Sequence, residues 1–193
     1  LEETMGALSQ IVASGKALYV GLSNYDGPTL EKASAILEEL HVPFVINQNC
    51  YNIFDRSIEQ NGLKAMSEKL GKGIICFSPL AQGMLSDRYL NGIPDDSRIA
   101  KGGFLKKEAL TDETLKKIKA LNEVATQRGQ TLAEMALAWL LKDDMVTSVI
   151  IGASSVNHKR NAVLAAAYTL SESTLKEYRD KVVETIGEKK EKQ

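Results

Sequence analysis

Small, hydroxyl and amide side chains directly follow four short apolar runs of this 193-residue chain. The pairs Ser23-Asn24, Asn47-Gln48 and Ser78-Pro79 follow the first three runs, and Gly152 with Ser154 follows the fourth. A side-chain amide offers a donor and an acceptor together, so Asn24, Asn47 and Gln48 could pair with a carboxamide or a base edge. The alternative for each is turn chemistry for Asn and solvation for Gln, which is the more common role.

Phosphate chemistry is suggested by a second group of residues. The segment 152–155, GASS, leaves an apolar run and opens a helical pattern, where backbone amides and hydroxyls form an anion site. A serine N-cap after a tight turn is the simpler interpretation. Arg88 and Arg98 are candidates for a phosphate clamp, or contribute only to solubility. Phe77 offers a flat face to a planar ring, or is core.

No general acid or base can be identified from the residues. His41 and His158 have no Ser, Cys or carboxylate at the spacing of a catalytic triad or a metal site. The six tyrosines are scattered, and Tyr89 lies in a long irregular segment. We therefore predict no catalytic residue and no metal ligand in this chain.

The elements that must position these residues alternate along the chain. Periodicity predicts helices over 3–14, 28–41, 57–70, 112–128, 131–142, 156–167 and 172–186, and strands over 17–22, 44–46, 73–77 and 148–151. Strands that are continuously apolar are typical of a parallel sheet covered on both faces or closed into a barrel. A doubly wound sheet and a barrel both fit. Residues 81–110 interrupt the rhythm and are expected to form a functional loop.

Composition limits the function classes. Apolar residues make up 44% and charged residues 25%, as in ordinary soluble globular proteins, and no apolar run is long enough to span a membrane. A net charge of −1 gives no reason to expect nucleic acid or anionic lipid as a partner. Two cysteines and no visible signal peptide favour the cytoplasm. The chain starts at Leu1 in a helical pattern, so we expect it to be part of a longer protein.

The strand-end motifs together resemble the aldo-keto reductases. They are VGLSNY at 20–25, NQ at 47–48 with YN at 51–52, FSPLAQGML at 77–85, GIP at 92–94 with SR at 97–98, and IGASS at 151–155. The resemblance is strongest to the bacterial branch near glyceraldehyde 3-phosphate reductases and potassium-channel beta subunits. It implies the C-terminal half, strands 5–8, of a (β/α)8 TIM barrel over residues 1–187, followed by a frayed tail at 188–193.

The resemblance also implies NADP(H) as the cofactor and assigns roles to residues. The nicotinamide carboxamide would be held by Ser23, Asn24 and Gln48, and Phe77 would stack on its ring. The pyrophosphate would be lined by Ser78, Leu80, Gln82, Gly83 and Arg88. The adenosine end would be served by Arg98, Gly152 and Ser154. The family usually has Gln, Glu and Asn where this chain has His158, Asn161 and Ala162, which puts the adenine contacts in doubt.

The family's catalytic Asp, Tyr, Lys and His have no counterpart among these motifs. The resemblance therefore implies an NADPH-dependent carbonyl reductase of which this chain carries much of the cofactor site. We expect the isolated chain to be inactive. Its partners would be a small carbonyl substrate, the missing N-terminal half of the barrel, and in some settings another copy of itself. The alternative is a non-catalytic NADP-binding regulatory subunit of the same fold.

Overall fold

The computed structural model describes residues 1–152 except 96, 98, 101, 103, 104, 106 and 143. The helices in this part are α1 (Glu2–Ala13), α2 (Gly27–Glu39), α3 (Ser57–Gln60), α4 (Leu63–Lys69), α5 (Asp112–Gln127) and α6 (Leu132–Leu141). The strands are β1 (Val20–Ser23), β2 (Phe44–Cys50), β3 (Gly73–Phe77) and β4 (Val146–Val149). The predicted helices over 156–167 and 172–186 and the predicted tail lie outside the described residues.

The four strands form one parallel sheet in the order β1-β2-β3-β4. Each strand therefore pairs with the next strand of the chain, and the helices between them make the crossovers that parallel neighbours require. In a parallel sheet every strand ends at the same edge. The four sequence segments that follow the strands are thus gathered along one carboxyl edge.

The two faces of the sheet differ. Helices α1, α2 and α4 and parts of α6 cover one face, where the main core includes Leu22, Leu37, Ile74 and Leu140. The other face is open among the described residues: Gly21 and Ser23 are exposed, and Val45 keeps 45% of its surface. Of the two predicted arrangements, a sheet covered on both faces or a sheet closed into a barrel, neither is complete among the described residues.

The ends of the strands also differ from prediction. Leu18 and Tyr19 are 78% and 64% exposed, so β1 begins only at Val20, where the backbone N–H bonds to the carbonyl of Pro43. Strand β2 continues through the polar residues 47–50, because Asn47 and Asn49 are buried in the covered face. Apolarity alone does not mark a strand end where polar side chains find partners inside.

The helix starts follow their capping residues. Asp26 caps α2, its carboxylate accepting the backbone N–H of Thr29 at 2.9 Å. The predicted capping box of α6 is confirmed: the Thr131 hydroxyl accepts the Glu134 N–H, and the Glu134 carboxylate accepts the Thr131 N–H at 2.8 Å. The predicted helix over 57–70 is instead two helices, broken at Gly62 in a left-handed conformation.

The described residues of the segment 81–110 form more regular structure than the irregular loop that was predicted. Short 3₁₀ turns occur at Ala81–Gly83, Asp87–Tyr89 and Lys107–Ala109. Leu85 and Tyr89 are fully buried, and Met84 and Leu90 pack against a cluster built on α5 and α6. The loop is therefore fastened to these two helices by apolar side chains.

The predicted place of the chain in a barrel needs correction. The prediction was the C-terminal half of a (β/α)8 TIM barrel, strands 5–8. The described residues instead form an open four-stranded parallel sheet whose first strand begins at Val20. An alternation of apolar strands and helices encodes βα units but carries no information on their rank in a larger sheet. No described helix is both long and apolar enough to cross a membrane.

Close contact between two glycines gives a prediction about stability. A Cβ at Gly27, the first residue of α2, would lie 2.5 Å from the carbonyl oxygen of Gly62, which is backbone and cannot move aside cheaply. We expect Gly27→Ala to lower the free energy of unfolding by about 1–3 kcal/mol. The control is Gly6→Ala inside α1, where nothing lies within 4 Å and a gain of about 0.5–1 kcal/mol is expected.

Urea unfolding of the two variants and the parent chain checks this pair. The two alanines are expected to shift the midpoint in opposite directions. Equal shifts would mean that the contact between Gly27 and Gly62 does not constrain the chain.

Candidate functional site

Three of the residues singled out from the sequence lie together on the open face at the carboxyl edge. Ser23, Gln48, Ile75 and Ser148 are paired in one row across the four strands. Cys50 and Phe77 form the next row toward the edge. Ser23 is exposed and Gln48 and Phe77 are half-buried, so a hydroxyl, an amide and an aromatic ring line one accessible strip.

Backbone hydrogen bonds fix the start of this strip. The Ser23 hydroxyl and the Asn24 backbone N–H both donate to the carbonyl oxygen of Gln48, each at 3.0 Å. These bonds join the end of β1 to β2 and use the backbone of Gln48 rather than its side-chain amide. They hold the three predicted carboxamide-binding residues at one end of the edge.

Unusual backbone conformations concentrate at the same edge. Asn24, Ser78, Ala81 and Gln82 all have left-handed φ angles, between +45° and +59°. Each such angle in a residue other than glycine costs conformational energy of order 1–3 kcal/mol. It persists only where the surrounding contacts fix the backbone. Strain of this kind is typical of ligand-binding loops. The loop after β3, residues 78–83, carries three of the four.

A buried asparagine with no predicted role, Asn52, holds this loop. Asn52 Nδ2 donates to the carbonyl oxygen of Ser78 at 3.1 Å, and Asn52 Oδ1 accepts the backbone N–H groups of Phe54 and Asp55. Its sequence signal, an asparagine just after a strand, is also that of an ordinary turn. Only the contact across to β3 distinguishes the two.

Asn47 does not join the strip, contrary to the prediction that grouped it with Asn24 and Gln48. It is fully buried in the covered face, where its Nδ2 donates to Asn49 Oδ1. Asn49 Nδ2 in turn donates to the carbonyl oxygen of Tyr25 at 3.3 Å. Successive side chains of a strand point to opposite faces, so Asn47 and Gln48 could not share one pocket.

The remaining predicted site residues lie in the segments that follow β3 and β4. Leu80, Gln82 and Gly83 are half-buried in the loop after β3, and the Gly83 carbonyl accepts the Ser86 hydroxyl at 2.6 Å. Arg88 is exposed two residues later, and Gly152 is exposed beyond the end of β4. The predictions for Arg98, Ser154, His158, Asn161 and Ala162 lie outside the described residues.

An aromatic and charged cluster packs between α3, α4 and α6, next to the loop after β2. The Tyr51 hydroxyl donates to Glu59 at 2.5 Å, and Arg56 donates to both Glu59 oxygens at 3.0 and 2.7 Å. These bonds, that of Arg56 first, hold the pKa of Glu59 below its usual range. Arg56 and Lys142 each lie over the Trp139 ring, 5.5 and 5.2 Å from its centroid. The cluster anchors the chain just before Asn52.

The Cys50 thiol, beside Phe77, is in a poor setting for a nucleophile. Burial, and then the neighbouring Asp55 carboxylate, raise its pKa to about 11. A thiol of that pKa is almost entirely protonated near neutral pH. No group of three His, Cys, Asp or Glu side chains in the described part of the chain could hold a metal ion.

The chain has clear relatives among known proteins. The model of the aldo/keto reductase family matches residues 1–182. L-glyceraldehyde 3-phosphate reductase of Escherichia coli strain K12 is 47% identical over 169 residues, which are 86% of this chain and 49% of that protein. A probable voltage-gated potassium channel subunit beta of Oryza sativa subsp. japonica is 34% identical over 161 residues, 81% of this chain and 49% of that protein.

A solved structure gives the same picture. The thermostable aldo-keto reductase Tm1743, crystallised with the inhibitor epalrestat, superposes with a TM-score of 0.65 at 30% identity. The superposition covers 91% of this chain and 52% of that one. The chain thus spans about half the length of the relatives it matches. Because the family match begins at residue 1, it does not support the prediction that these strands are 5–8, the C-terminal half alone.

The setting of Cys50 gives a prediction about reactivity. In a Cys76→Ala variant, which leaves Cys50 as the single thiol, we expect iodoacetamide at pH 8 to react ~100-fold more slowly in the native chain than in denaturant. The factor follows from a pKa near 11 against the ordinary value of 9.0. The rate should rise with pH until about 11, since only the thiolate reacts.

The raised pKa of Cys50 also determines the direction in which stability changes with pH. Above pH 9 the unfolded thiol loses its proton before the native one, so the free energy of unfolding should fall as pH rises. An alkylation profile of the native variant with its inflection at 9.0 would contradict both expectations.

Proposed function

Because the chain belongs to the aldo/keto reductase family, we propose that it forms the cofactor-binding wall of an NADP(H)-dependent oxidoreductase that reduces aldehydes or ketones to alcohols. The observation that carries the proposal is the strip of Ser23, Gln48 and Phe77 on the open face at the carboxyl edge. In α/β folds this edge is where ligands bind. The similarity to a protein named as L-glyceraldehyde 3-phosphate reductase supports the oxidoreductase class.

The chemistry of the strip fits a nicotinamide. A carboxamide has one donor group and one acceptor, and the Gln48 side chain and the Ser23 hydroxyl offer the complementary groups. Asn24 follows directly, and its backbone is fixed by the bond to Gln48. The half-exposed ring of Phe77, one row nearer the edge, would stack on the nicotinamide. NADPH supplies the hydride when bound, and these residues orient it.

The loop beyond Phe77 would take the phosphates. We assign the pyrophosphate to the residues of this segment, Ser78, Leu80, Gln82, Gly83 and Arg88. Ser78 and Gln82 have left-handed backbone, a conformation found in anion-binding turns, and Arg88 adds a positive charge in an exposed position. Arg98, Gly152 and Ser154 remain predictions for the adenosine end, with the 2′-phosphate on an arginine.

The chain would act together with further protein. The outer edges of β1 and β4 have no strand partner among the described residues, and the open face carries the cofactor strip. We propose that the rest of a barrel, or a second copy of the chain, covers this face and completes the pocket for the carbonyl substrate. A cytoplasmic location stays a prediction from composition.

A non-catalytic NADP(H)-binding subunit is the second candidate. The described rows on the open face contain Gly, Ile, Ser, Gln, Cys and Phe, none of which gives up a proton readily near pH 7. The similarity to a protein named as a potassium channel subunit beta is consistent with such a role. The two candidates share the cofactor strip and differ in turnover.

Cofactor choice tests the shared part. We expect isothermal titration to give a lower Kd for NADPH than for NADH, and Arg98→Ala to weaken NADPH about 10- to 100-fold while leaving NADH unchanged, the range of one charged hydrogen bond. Arg128→Ala is the matched control, because its guanidinium already donates to Gln130 at 2.8 Å. Equal Kd values for the two cofactors in the parent chain would sink the assignment.

Turnover by the complete protein would separate the two candidates, and turnover by the chain alone tests whether it holds a general acid of its own. The chain alone is expected not to oxidise NADPH in the presence of methylglyoxal or nitrobenzaldehyde, because a missing general acid typically costs ~10²–10⁴ in rate. Tyr89 cannot substitute, since it is 1% exposed beneath the loop. The measurement is NADPH absorbance at a chain concentration above the Kd. Turnover that scales with purified chain and survives Tyr89→Phe would mean that an acid lies elsewhere in it.

A further inference from the structure

We propose that Asn52 is a positioning residue for the cofactor. Its buried amide fixes the carbonyl oxygen of Ser78, a residue with left-handed backbone, and through it the positions of the loop of residues 78–83 and of the Phe77 ring. This inference rests on the proposed function. It adds a residue that does not itself line the open strip. Asn52 acts from behind the loop, at the end of β2.

The amide of Asn52 is held in one orientation. The side chain is 3% exposed, and Oδ1 accepts two backbone N–H groups, from Phe54 at 2.9 Å and from Asp55 at 2.8 Å. Both donors require the oxygen on that side, so Nδ2 must be the atom that faces Ser78. Its bond to the Ser78 carbonyl, 3.1 Å, spans 26 positions of the chain.

The carbonyl of Ser78 is the point on which the loop turns. Ser78 has φ +53° and precedes a proline, a position where helical backbone angles are disfavoured. The same carbonyl also accepts the Ala81 N–H at 2.9 Å, which closes a turn over residues 78–81. Asn52 thus holds the first of the three left-handed residues of this loop, and the turn that this carbonyl closes ends at the second, Ala81.

The neighbouring contacts aim Phe77. The Tyr51 backbone N–H lies 3.5 Å from the Phe77 carbonyl, and Cys50 pairs with Phe77 in the sheet. Each of the residues 50–52 therefore contacts Phe77 or Ser78 through strand pairing or a hydrogen bond. Tyr51 is itself fixed by Glu59 and by contact with the Trp139 ring, 5.4 Å between centroids. The packing on the covered side is in this way connected to the strip on the open side.

A local turn alone would not need the contact to Ser78. Asn61 gives the comparison, because its Oδ1 accepts the backbone N–H of Leu63 at 3.1 Å in a local turn just before α4. Asn52 does the same for residues 54 and 55 and in addition reaches β3. Replacing the Nδ2 donor should therefore affect the loop after β3, whereas the same change at Asn61 should not.

The test uses Asn52→Asp, which keeps Oδ1 and the side-chain volume but turns the donor into an acceptor facing the Ser78 carbonyl. Asn61→Asp is the matched control. We expect Asn52→Asp to raise the Kd of NADPH at least tenfold and to leave that of 2′-AMP, which lacks the nicotinamide and pyrophosphate, within twofold. The control should leave both unchanged. If Asn52→Asp does not fold, Asn52→Ser keeps a local acceptor and is too short to reach Ser78.

A second readout does not depend on cofactor binding. Hydrogen exchange of the Ala81 amide, which donates to Ser78, is expected to become at least tenfold faster in the Asn52 variant, with the Leu22 and Ile74 amides unchanged. Equal weakening of NADPH and 2′-AMP, or an unchanged Ala81 amide, would overturn the positioning role. If the parent chain binds no NADPH while Ala81 exchange still responds, the proposed function fails and the clamp on the loop stands.

Discussion

Parallel pairing of the strands in the order of the chain is the constraint on which the rest of this structure depends. Because β1, β2, β3 and β4 are neighbours in sequence and in space, the segments after them meet along one edge. The register then selects which side chains share a face: Ser23, Gln48 and Ser148 form one row, and Phe77 stands in the next. A shift of one residue in β2 would turn Gln48 to the covered face and put the shorter amide of an asparagine in its place.

The edge is stabilised from the covered side. Left-handed residues at 24, 78, 81 and 82 cost conformational energy, and buried amides offset part of it. Asn49 donates to the carbonyl of Tyr25 and Asn52 to that of Ser78, so the loops after β1 and β3 are each tied to β2 or to the segment after it. The cluster of Tyr51, Glu59 and Trp139 fixes that segment against the helices. Strand β2 and the segment that follows it therefore hold both loops in place.

Sequence patterns predicted the elements that depend on local rules. The strand at 73–77, the helix over 112–128 and the capping box at Thr131 were recovered because apolar periodicity and capping chemistry act over a few residues. The family was also recognised correctly, from motifs whose order is specific. The resemblance to the family assigned Ser23, Asn24, Gln48 and Phe77 to the nicotinamide, and the register brings Ser23, Gln48 and Phe77 to one strip.

The errors have different physical origins. Asn47 was grouped with Gln48 by residue type, although neighbours in a strand point to opposite faces and Asn47 is buried against Asn49, two positions along the chain. The break at Gly62 packs against Gly27, 35 positions away, a contact that the sequence does not show. The rank of the strands in a barrel was taken from the resemblance, and the match from residue 1 and the open sheet do not support it. Asn52 was passed over because its contact to Ser78 exists only in three dimensions.

The central claim, that a nicotinamide cofactor lies along the carboxyl edge of this sheet, is tested most directly by titrating the ¹⁵N-labelled chain with NADP⁺ and following the backbone amide resonances. The account predicts saturable shifts at residues 24, 48 and 77–83, on the open face and its loop, with α1 and the outer surface of α4 unchanged. Shifts confined to the groove that Arg56, Trp139 and Lys142 line on the covered side, or no saturable shift with millimolar NADP⁺, would contradict it.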